Sequence, residues 1–589
     1  MLPAKIQWGE WGEEAFAQAK RDDKPILLSI SGVWCHWCHV MDGTSYEDDE
    51  AAELINTRFI PIRVDTDRRP DINRRYNMGG WPTTAFLTPD GEVLWGATYL
   101  PPEQFRQVLK EISVYYQDRR EEISRQVQEV MARRSASGGR PAGPPKAGEV
   151  PLSPAVVNDV QRSIEASFDR DYGGFGDQPK FPHSEALELA LARYHRTRDV
   201  TLRRIVVKTL VEMSAGGIYD AVEGGFFRYS TTRDWSIPHF EKMLEDNAKH
   251  LAIYLDAYQL LDEAACERTA QDILRYVESS LRAGEEGGFW GSQNADEEYY
   301  ALNPLERLQR ESPSVDTTLY TDWNARMAFA YLSAAQILGR PELAEHALRT
   351  LDRLWVETYR AGQGVAHYLV QGGPQLPGLL GDQAHLIWAF LHAYQQSGRS
   401  IYFDRAQALI VEAESQLWDE KEGGFFDRPA EPDALGGLRW RDKPLEENAL
   451  MARALLRLSR LTHRQEYVER ARRTLEFFLD EYPRYGIMAA GYALAVMDYL
   501  ESPVEVAIVG VESDPRTQAL LAASLRGYEP RRVAQVLDPQ ADGSRLNELG
   551  YLPQAQPVAY VCFNGTCAAP ITDPESIPIQ VQAFLQRAS

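Results

Sequence analysis

Two cysteines three residues apart sit inside the run Trp34-Cys35-His36-Trp37-Cys38-His39. A cysteine at the start of a helix feels the helix dipole and the free N–H groups, which stabilise its thiolate and lower its pKa. A second cysteine one turn on is placed to resolve a mixed disulfide. Cys35 therefore reads as a nucleophile and Cys38 as its resolving partner. His36 between them adds positive charge and favours the thiolate form, which makes the couple more oxidising. The same letters allow other chemistry. Cys-x-x-Cys-His is also the pattern of covalent haem attachment, and Cys35, Cys38, His36 and His39 are zinc-ligand types. A strand signal directly before the motif and the lack of a second ligand pair at finger spacing favour the redox reading, with no cofactor and no metal. Cysteines that stand idle in a domain that only binds are the third alternative.

The elements that must position this motif can be read around it. Ile26 to Ser31 is a short apolar strand signal, Phe59 to Val64 a second and Thr84 to Leu87 a third; helical patterns cover Glu10 to Ala19 and Glu47 to Asn56. Strands alternating with helices over residues 1–134 give a small α/β domain of thioredoxin-like type. Gly79-Gly80-Trp81-Pro82-Thr83-Thr84 leads into the third strand, where such folds carry a cis-proline facing the cysteines. Trp34, His36, Trp37 and Pro82 are thus the residues expected to support the redox site. From Ser135 to Pro154 the Gly-, Pro- and Ala-rich sequence has no apolar periodicity and reads as a linker.

After the linker the pattern becomes helical, as at Leu187 to Tyr194, Ala248 to Leu261, Ala325 to Leu338 and Leu386 to Tyr394. Gly-Gly-Phe recurs at Gly173, Gly224, Gly287 and Gly423, with weaker analogues at Gly362-Gln363-Gly364 and Tyr485-Gly486-Ile487. Six loops with room for a helical hairpin between them predict an all-α (α/α)6 six-hairpin barrel over residues 155–502. Residues 503–589 return to strand signals at Val504 to Val509 and Pro557 to Val561, with helices near Thr517 to Leu525 and Ile577 to Gln586, and read as a small α/β cap. Cys266 reads as packing. Cys562 and Cys567 flank a turn and read as two unreactive thiols, a pairing between them being the alternative.

A catalytic barrel would need its polar residues in the lumen. Pro238 suits the first turn of a helix with Ser236 capping it, which would align His239, Lys242 and Asp246 on one face. Asp220, Glu241, Asp296, Asp382 and His385 are candidate partners, and Trp235, Tyr254, Trp323 and Trp388 could stack on sugar rings. A glycosidase needs two carboxyl groups across the scissile bond, and a sugar epimerase an acid and a base on opposite faces. Simple helix capping and core packing account for the same residues equally well.

Five cysteines in 589 residues make no disulfide framework, and the net charge of -23 excludes a nucleic-acid or anionic-membrane surface. No apolar run reaches membrane-spanning length, and the first residues show no export pattern, so the expected location is cytoplasmic.

Several longer motifs carry a resemblance. Cys35-His36-Trp37-Cys38-His39-Val40-Met41, Arg69-Pro70-Asp71-Ile72, Gly79-Gly80-Trp81-Pro82 and Phe86-Leu87-Thr88-Pro89-Asp90-Gly91 are similar to thioredoxin-domain proteins of the spermatogenesis-associated protein 20-like family. So are Gly216-Gly217-Ile218-Tyr219-Asp220, Pro238-His239-Phe240-Glu241-Lys242-Met243-Leu244 and Trp323-Asn324. The chain departs from that family at Lys443 to Asn448 and at Asn294-Ala295-Asp296. The resemblance implies a thioredoxin-like domain followed by a six-hairpin, glycosidase-like barrel. The resulting expectation is a thiol-disulfide oxidoreductase whose barrel binds a disulfide-bearing protein or small-molecule client. A carbohydrate-active enzyme with an accessory redox domain, and a non-enzymatic scaffold, are the alternatives.

Overall fold

The structure is a computed structural model describing residues 5–136 and 151–588. The first four residues, and positions 137–150 of the expected linker, lie outside the described residues.

The N-terminal domain runs α1 (Glu13–Asp22), β1 (Ile26–Ser31), α2 (His36–Gly43), α3 (Asp49–Arg58), β2 (Ile60–Asp65), α4 (Pro70–Tyr76), β3 (Thr83–Leu87), β4 (Val93–Ala97), α5 (Pro102–Asp118) and α6 (Arg120–Ala136). The sheet order is β2-β1-β3-β4; β1 pairs parallel to β2 and antiparallel to β3. Because β1 is central and covered on both faces, Ile26, Leu27, Leu28 and Ile30 are all fully buried. The redox motif follows directly at the end of this strand.

The barrel comprises α7 (Pro154–Ser167), α8 (Ser184–Thr197), α9 (Val200–Ala215), α10 (Leu244–Leu261), α11 (Ala264–Tyr276), the short α12 (Glu297–Tyr300) and α13 (Pro304–Arg307), α14 (Thr321–Leu338), α15 (Pro341–Thr358), α16 (Leu380–Ser397), α17 (Ser400–Leu417), α18 (Leu445–Thr462), α19 (Gln465–Phe477) and α20 (Ala490–Leu500). Helices α8, α10, α14, α16, α18 and α20 form the inner ring, each touching the next and α20 returning to α8. Each of the first five packs against the helix that follows it, and α7 packs on α20, so the first and last helices close the barrel.

The Gly-Gly-Phe loops are stitches between neighbouring hairpins. Asn247, in the first turn of α10, accepts the Phe226 N–H at 2.8 Å and donates to the Phe226 and Met243 carbonyls. Asn324 does the same for Phe289, and Asn448 for Phe425. Each Phe is thereby held in the core; Phe226, Phe289 and Phe425 are fully buried. Gly224 shows why the loop needs glycine: its φ is +84°, and a Cβ there would lie 2.3 Å from the Asp272 carbonyl oxygen. A lysine ties three of the loops. Lys180, Lys242 and Lys443 bond Asp169, Asp220 and Asp419 at 2.7, 2.6 and 2.7 Å, and each also bonds a loop glycine carbonyl.

One expectation is corrected here. Pro238 does not open a helix, and His239, Lys242 and Asp246 do not share a helical face. Pro238–His239 pairs with Tyr229–Ser230, and Lys242–Met243 pairs with Ser292–Gln293, so these residues are extended and α10 begins only at Leu244. Backbone pairing across the loops overrides the local helix-start signal.

The C-terminal domain runs β5 (Glu505–Val509), α21 (Pro515–Ser524), β6 (Val533–Leu537), α22 (Gly543–Glu548), β7 (Val558–Phe563), β8 (Thr566–Cys567) and α23 (Ser576–Ala588). Its sheet order is β6-β5-β7-β8. The hairpin sets Cys562 directly opposite Cys567, and the two are disulfide-bonded, which corrects the expectation of separate thiols. Cys266 is a buried free thiol, as its helical surroundings indicated. Among the described residues no helix is long and apolar enough to cross a membrane.

Asn324→Ala should destabilise the barrel by about 2–3 kcal/mol, since it leaves the buried Phe289 N–H and carbonyl unpaired. Asn303→Ala, at the exposed cap of α13, should cost about 1 kcal/mol or less. The urea midpoints of the two variants check this; equal shifts would show that the stitch carries no special weight.

Candidate functional site

Cys35 is the N-cap of α2, and its Sγ accepts the Cys38 N–H at 3.2 Å. The two cysteines are disulfide-bonded. The Trp81–Pro82 peptide, leading into β3 beside β1, is cis. Trp34 and Trp81 meet edge to face, with ring centres 5.6 Å apart.

The barrel covers this face. Cys35 is 4% exposed and Cys38 1%, and with Trp34 they join the barrel's own hydrophobic cluster. Trp37, on the outer side of α2, remains 44% exposed. Arg228, just after the second Gly-Gly-Phe loop, lies over Trp34 and Trp81 at 4.1 and 4.9 Å from the ring centres. Arg75 of α4 bonds Asp427 at 2.8 Å and the Trp440 carbonyl at 2.6 Å, and Arg74 pairs with Glu447. Residues 434–438 clasp the redox domain from the side, and Leu438 is buried inside that domain's core. Gly91 and Gly436 touch there: a Cβ on Gly91 would stand 2.4 Å from the Gly436 Cα.

Between the domains lies a cavity of about 250 Å³, bordered by Asp67, Trp81, Arg228, Glu245, Asp322 and Trp323 among others. His367 stands at its wall. Its Nδ1 is 3.0 Å from both Asp382 carboxylate oxygens, and its Nε2 is 2.6 Å from the Asp67 carbonyl oxygen. Both neighbours only accept, so both ring nitrogens carry protons and the ring is an imidazolium. Burial works against that charge, but the Asp382 and Asp322 carboxylates outweigh it and push the His367 pKa up to about 10. Asp322 is pushed up to about 7 by burial and then by Asp382. Asp67 accepts from Trp34 Nε1, and burial, followed by the Asp65 charge, holds its carboxyl well above the usual range. Donor atoms of Asp322, His367 and Asp382 lie within 4.8 Å of one another, a spacing that would suit a metal ion. Nδ1, the nitrogen turned toward the two carboxylates, is the atom that would have to exchange its proton for the metal.

The residues expected from the sequence separate into groups. Trp323 and Asp382 border the mouth cavity, and His385 borders a second cavity deeper in the lumen. Asp220 and Lys242 form the buried loop pair, joined by Arg307, whose Nη1 lies 2.8 Å from the carboxylate. Glu241 stands 3.6 Å from His239, which stacks on Tyr229. Asp296 caps α12 through the Tyr299 N–H. Asp246 is pushed up to about 7 by burial and by Glu245. Sequence reasoning missed Arg228, Asp67, Asp322 and His367. Of these only His367 leaves a sequence signal, as a histidine inside the short apolar run Val365 to Val370, which breaks the helical spacing on either side.

A Cys-x-x-Cys at a helix N-terminus, beside a cis-proline on the neighbouring strand, defines a thioredoxin-like domain; here it is docked on an (α/α)6 barrel. Residues 2–134 match a family model described as "Protein of unknown function, DUF255". The resemblance to spermatogenesis-associated protein 20-like proteins holds along nearly the whole chain. Spermatogenesis-associated protein 20 of Homo sapiens is 27% identical over 97% of this chain and 89% of that protein. An uncharacterised protein of Caenorhabditis elegans is 35% identical over 49% of this chain and 41% of its own length. Among solved structures, cellobiose 2-epimerase from Spirochaeta thermophila overlays with a TM-score of 0.49 at 13% identity, covering 59% of this chain and 94% of that one. A D-mannose isomerase gives 0.48 at 14% identity, covering 60% and 99%. The closure of the barrel itself rests on the helix contacts described above.

The raised pKa of His367 fixes a sign. Its stabilising contribution is fully present below about pH 6.5 and is lost as pH rises through about 10. The thermal midpoint of the wild type should therefore exceed that of His367→Gln by a margin that shrinks over this window. A margin independent of pH would contradict the imidazolium assignment.

Proposed function

We propose that this protein is a thiol-disulfide oxidoreductase whose Cys35–Cys38 pair meets a small disulfide substrate at the barrel mouth, the barrel serving as the binding module. The observation that carries this reading is the placement of Cys35 at the N-cap of α2, beside the cis Trp81–Pro82 peptide and beneath the barrel. In the reduced protein the Cys35 thiolate attacks one sulfur of the substrate disulfide and expels the other as a thiolate. Cys38, one turn on, then attacks the Cys35 sulfur of the mixed disulfide and releases the second thiol. Two electrons pass to the substrate and the Cys35–Cys38 bond closes; a low-molecular-weight thiol reverses that closure. Trp81 borders the cavity between the domains, Trp34 and Pro82 are buried, and Arg228, over both tryptophan rings, supplies a cation on the same side. His36 acts in the same direction from within the motif.

Titration in glutathione buffers, read by thiol trapping and mass spectrometry, should show a reversible two-electron transition of Cys35 and Cys38. Cys35→Ser should abolish reduction of hydroxyethyl disulfide, and Cys38→Ser should accumulate a mixed disulfide on Cys35. A pair that does not titrate, or full activity in Cys35→Ser, would remove the reading.

A further inference from the structure

Three elements meet at the wall of the mouth cavity: the first turn of α14, the first turn of α16 and the strand Gly364–Val370. Each is bonded to another beside a residue that can ligate a metal. Thr321, next to Asp322, donates to the carbonyl of Ala366, next to His367, at 2.6 Å. Gln383, next to Asp382, accepts the Val365 N–H at 3.3 Å and donates to the Val365 carbonyl at 3.2 Å. The Asp322 N–H itself donates to Asp382 Oδ1 at 3.2 Å. These bonds hold Asp322, His367 and Asp382 on one fixed frame.

On that frame the three side chains are arranged as ligands of one ion. Their donor atoms lie within 4.8 Å of one another. His367 Nδ1 stands 3.0 Å from the Asp382 oxygens, the separation of neighbouring ligands on an ion with bonds of about 2.1 Å. The Nε2–H of the same ring donates to the Asp67 carbonyl at 2.6 Å. A ligating histidine is fixed by such a bond, which turns its other nitrogen to the metal. His367 and Asp382 are 5% and 1% exposed, so bulk water competes little for them.

Asp322 gives an independent reason for an ion. Its Oδ1 is buried and has no hydrogen-bond partner, although it stands close to the Asp382 carboxylate. A buried carboxylate beside another is costly unless a donor or a cation meets it. The neighbouring cations are engaged elsewhere: Arg74 with Glu447, Arg75 with Asp427, Arg326 with Glu446, and Arg228 over Trp34 and Trp81. Glu245, in the first turn of α10, borders the same cavity and adds a further carboxylate. A cation held by Asp322, His367 and Asp382 meets the orphan oxygen and offsets the repulsion between the carboxylates.

We infer that Asp322, His367 Nδ1 and Asp382 form a binding site for one divalent first-row transition ion, of the zinc, cobalt or manganese class, at the wall of the cavity between the domains. One imidazole nitrogen with two carboxylates suits these ions better than magnesium or calcium, which favour all-oxygen shells. On binding, Nδ1 releases its proton to solvent and coordinates the ion. Three protein ligands leave a position for water or for a group of a molecule in the cavity.

The test uses untagged full-length protein, stripped of metal by chelation and kept in its disulfide form so that neither Cys35 nor Cys38 can ligate. It is titrated with cobalt(II) and followed by calorimetry and visible absorption. One equivalent should bind and raise the thermal midpoint, and zinc should displace it while magnesium and calcium should not. Asp322→Ala removes a side chain whose Oδ1 bonds nothing, so the metal-free variant should keep the wild-type thermal midpoint. Its cobalt affinity should fall about 100-fold or more, since altering only the groups behind a ligand already costs about 10–100-fold. His367→Gln should lose the absorption bands that the bound ion gives in the wild type. Absence of a bound equivalent in the wild type, an affinity unchanged by Asp322→Ala, or displacement by magnesium would overturn the inference.

Discussion

A thiolate can attack only what reaches its sulfur, and the docking of the redox domain on the barrel mouth decides what that is. The docking is held by more than surface charge. Leu438 of the barrel contributes to the redox domain's core, a burial worth about 1.5–3 kcal/mol. Arg75 and Asp427 form a largely buried pair, and removing one partner of such a pair costs about 3–5 kcal/mol because it strands a buried charge. Partly exposed contacts such as Arg74–Glu447 contribute about 1 kcal/mol at most. The shared core and the buried pair therefore set the strength of docking. With the domains so joined, Cys35 and Cys38 are almost wholly buried, and the cavity between the domains, bordered by Trp81 and Arg228, holds about 250 Å³, room for a small molecule rather than a folded client.

The acidity of the mouth has a physical origin in the barrel's construction. The inner helices all begin there, and their N-termini carry Glu245, Asp246, Asp322, Asp382, Glu446 and Glu447 in the first turn. Carboxylates are favoured at positive helix ends. Convergence of these ends crowds the carboxylates together, which raises Asp322 and Asp246 and draws a proton onto His367. The stitches built by Asn247, Asn324 and Asn448 fix the helix ends in this ring and leave the loop lysines buried and occupied.

Much of the architecture was legible in the sequence because local signals agreed with the fold. The strands before and after the redox motif, the cis-proline position and the repeating Gly-Gly-Phe all follow from backbone demands that few residue types satisfy. The helix expected at Pro238 was misread because loop pairing across the barrel is non-local. The strand Val533–Leu537 was overlooked, Gln535 and the preceding Arg531-Arg532 breaking its apolar pattern. The candidate site was less legible. Cys35 and Cys38 announce themselves by spacing, whereas Arg228, Asp67 and His367 matter only because two domains meet, and nothing in their immediate sequence encodes that meeting.

The central claim is that the docked barrel restricts Cys35 to small disulfides. The most direct measurement compares the rates at which reduced protein reduces hydroxyethyl disulfide and insulin, in the wild type and in Leu438→Asp, which loosens the clasp. The account predicts that the wild type reduces the small disulfide and is slow with insulin, and that the variant gains on insulin while keeping its rate on the small substrate. Equal rates on both substrates in the wild type, unchanged in the variant, would contradict it.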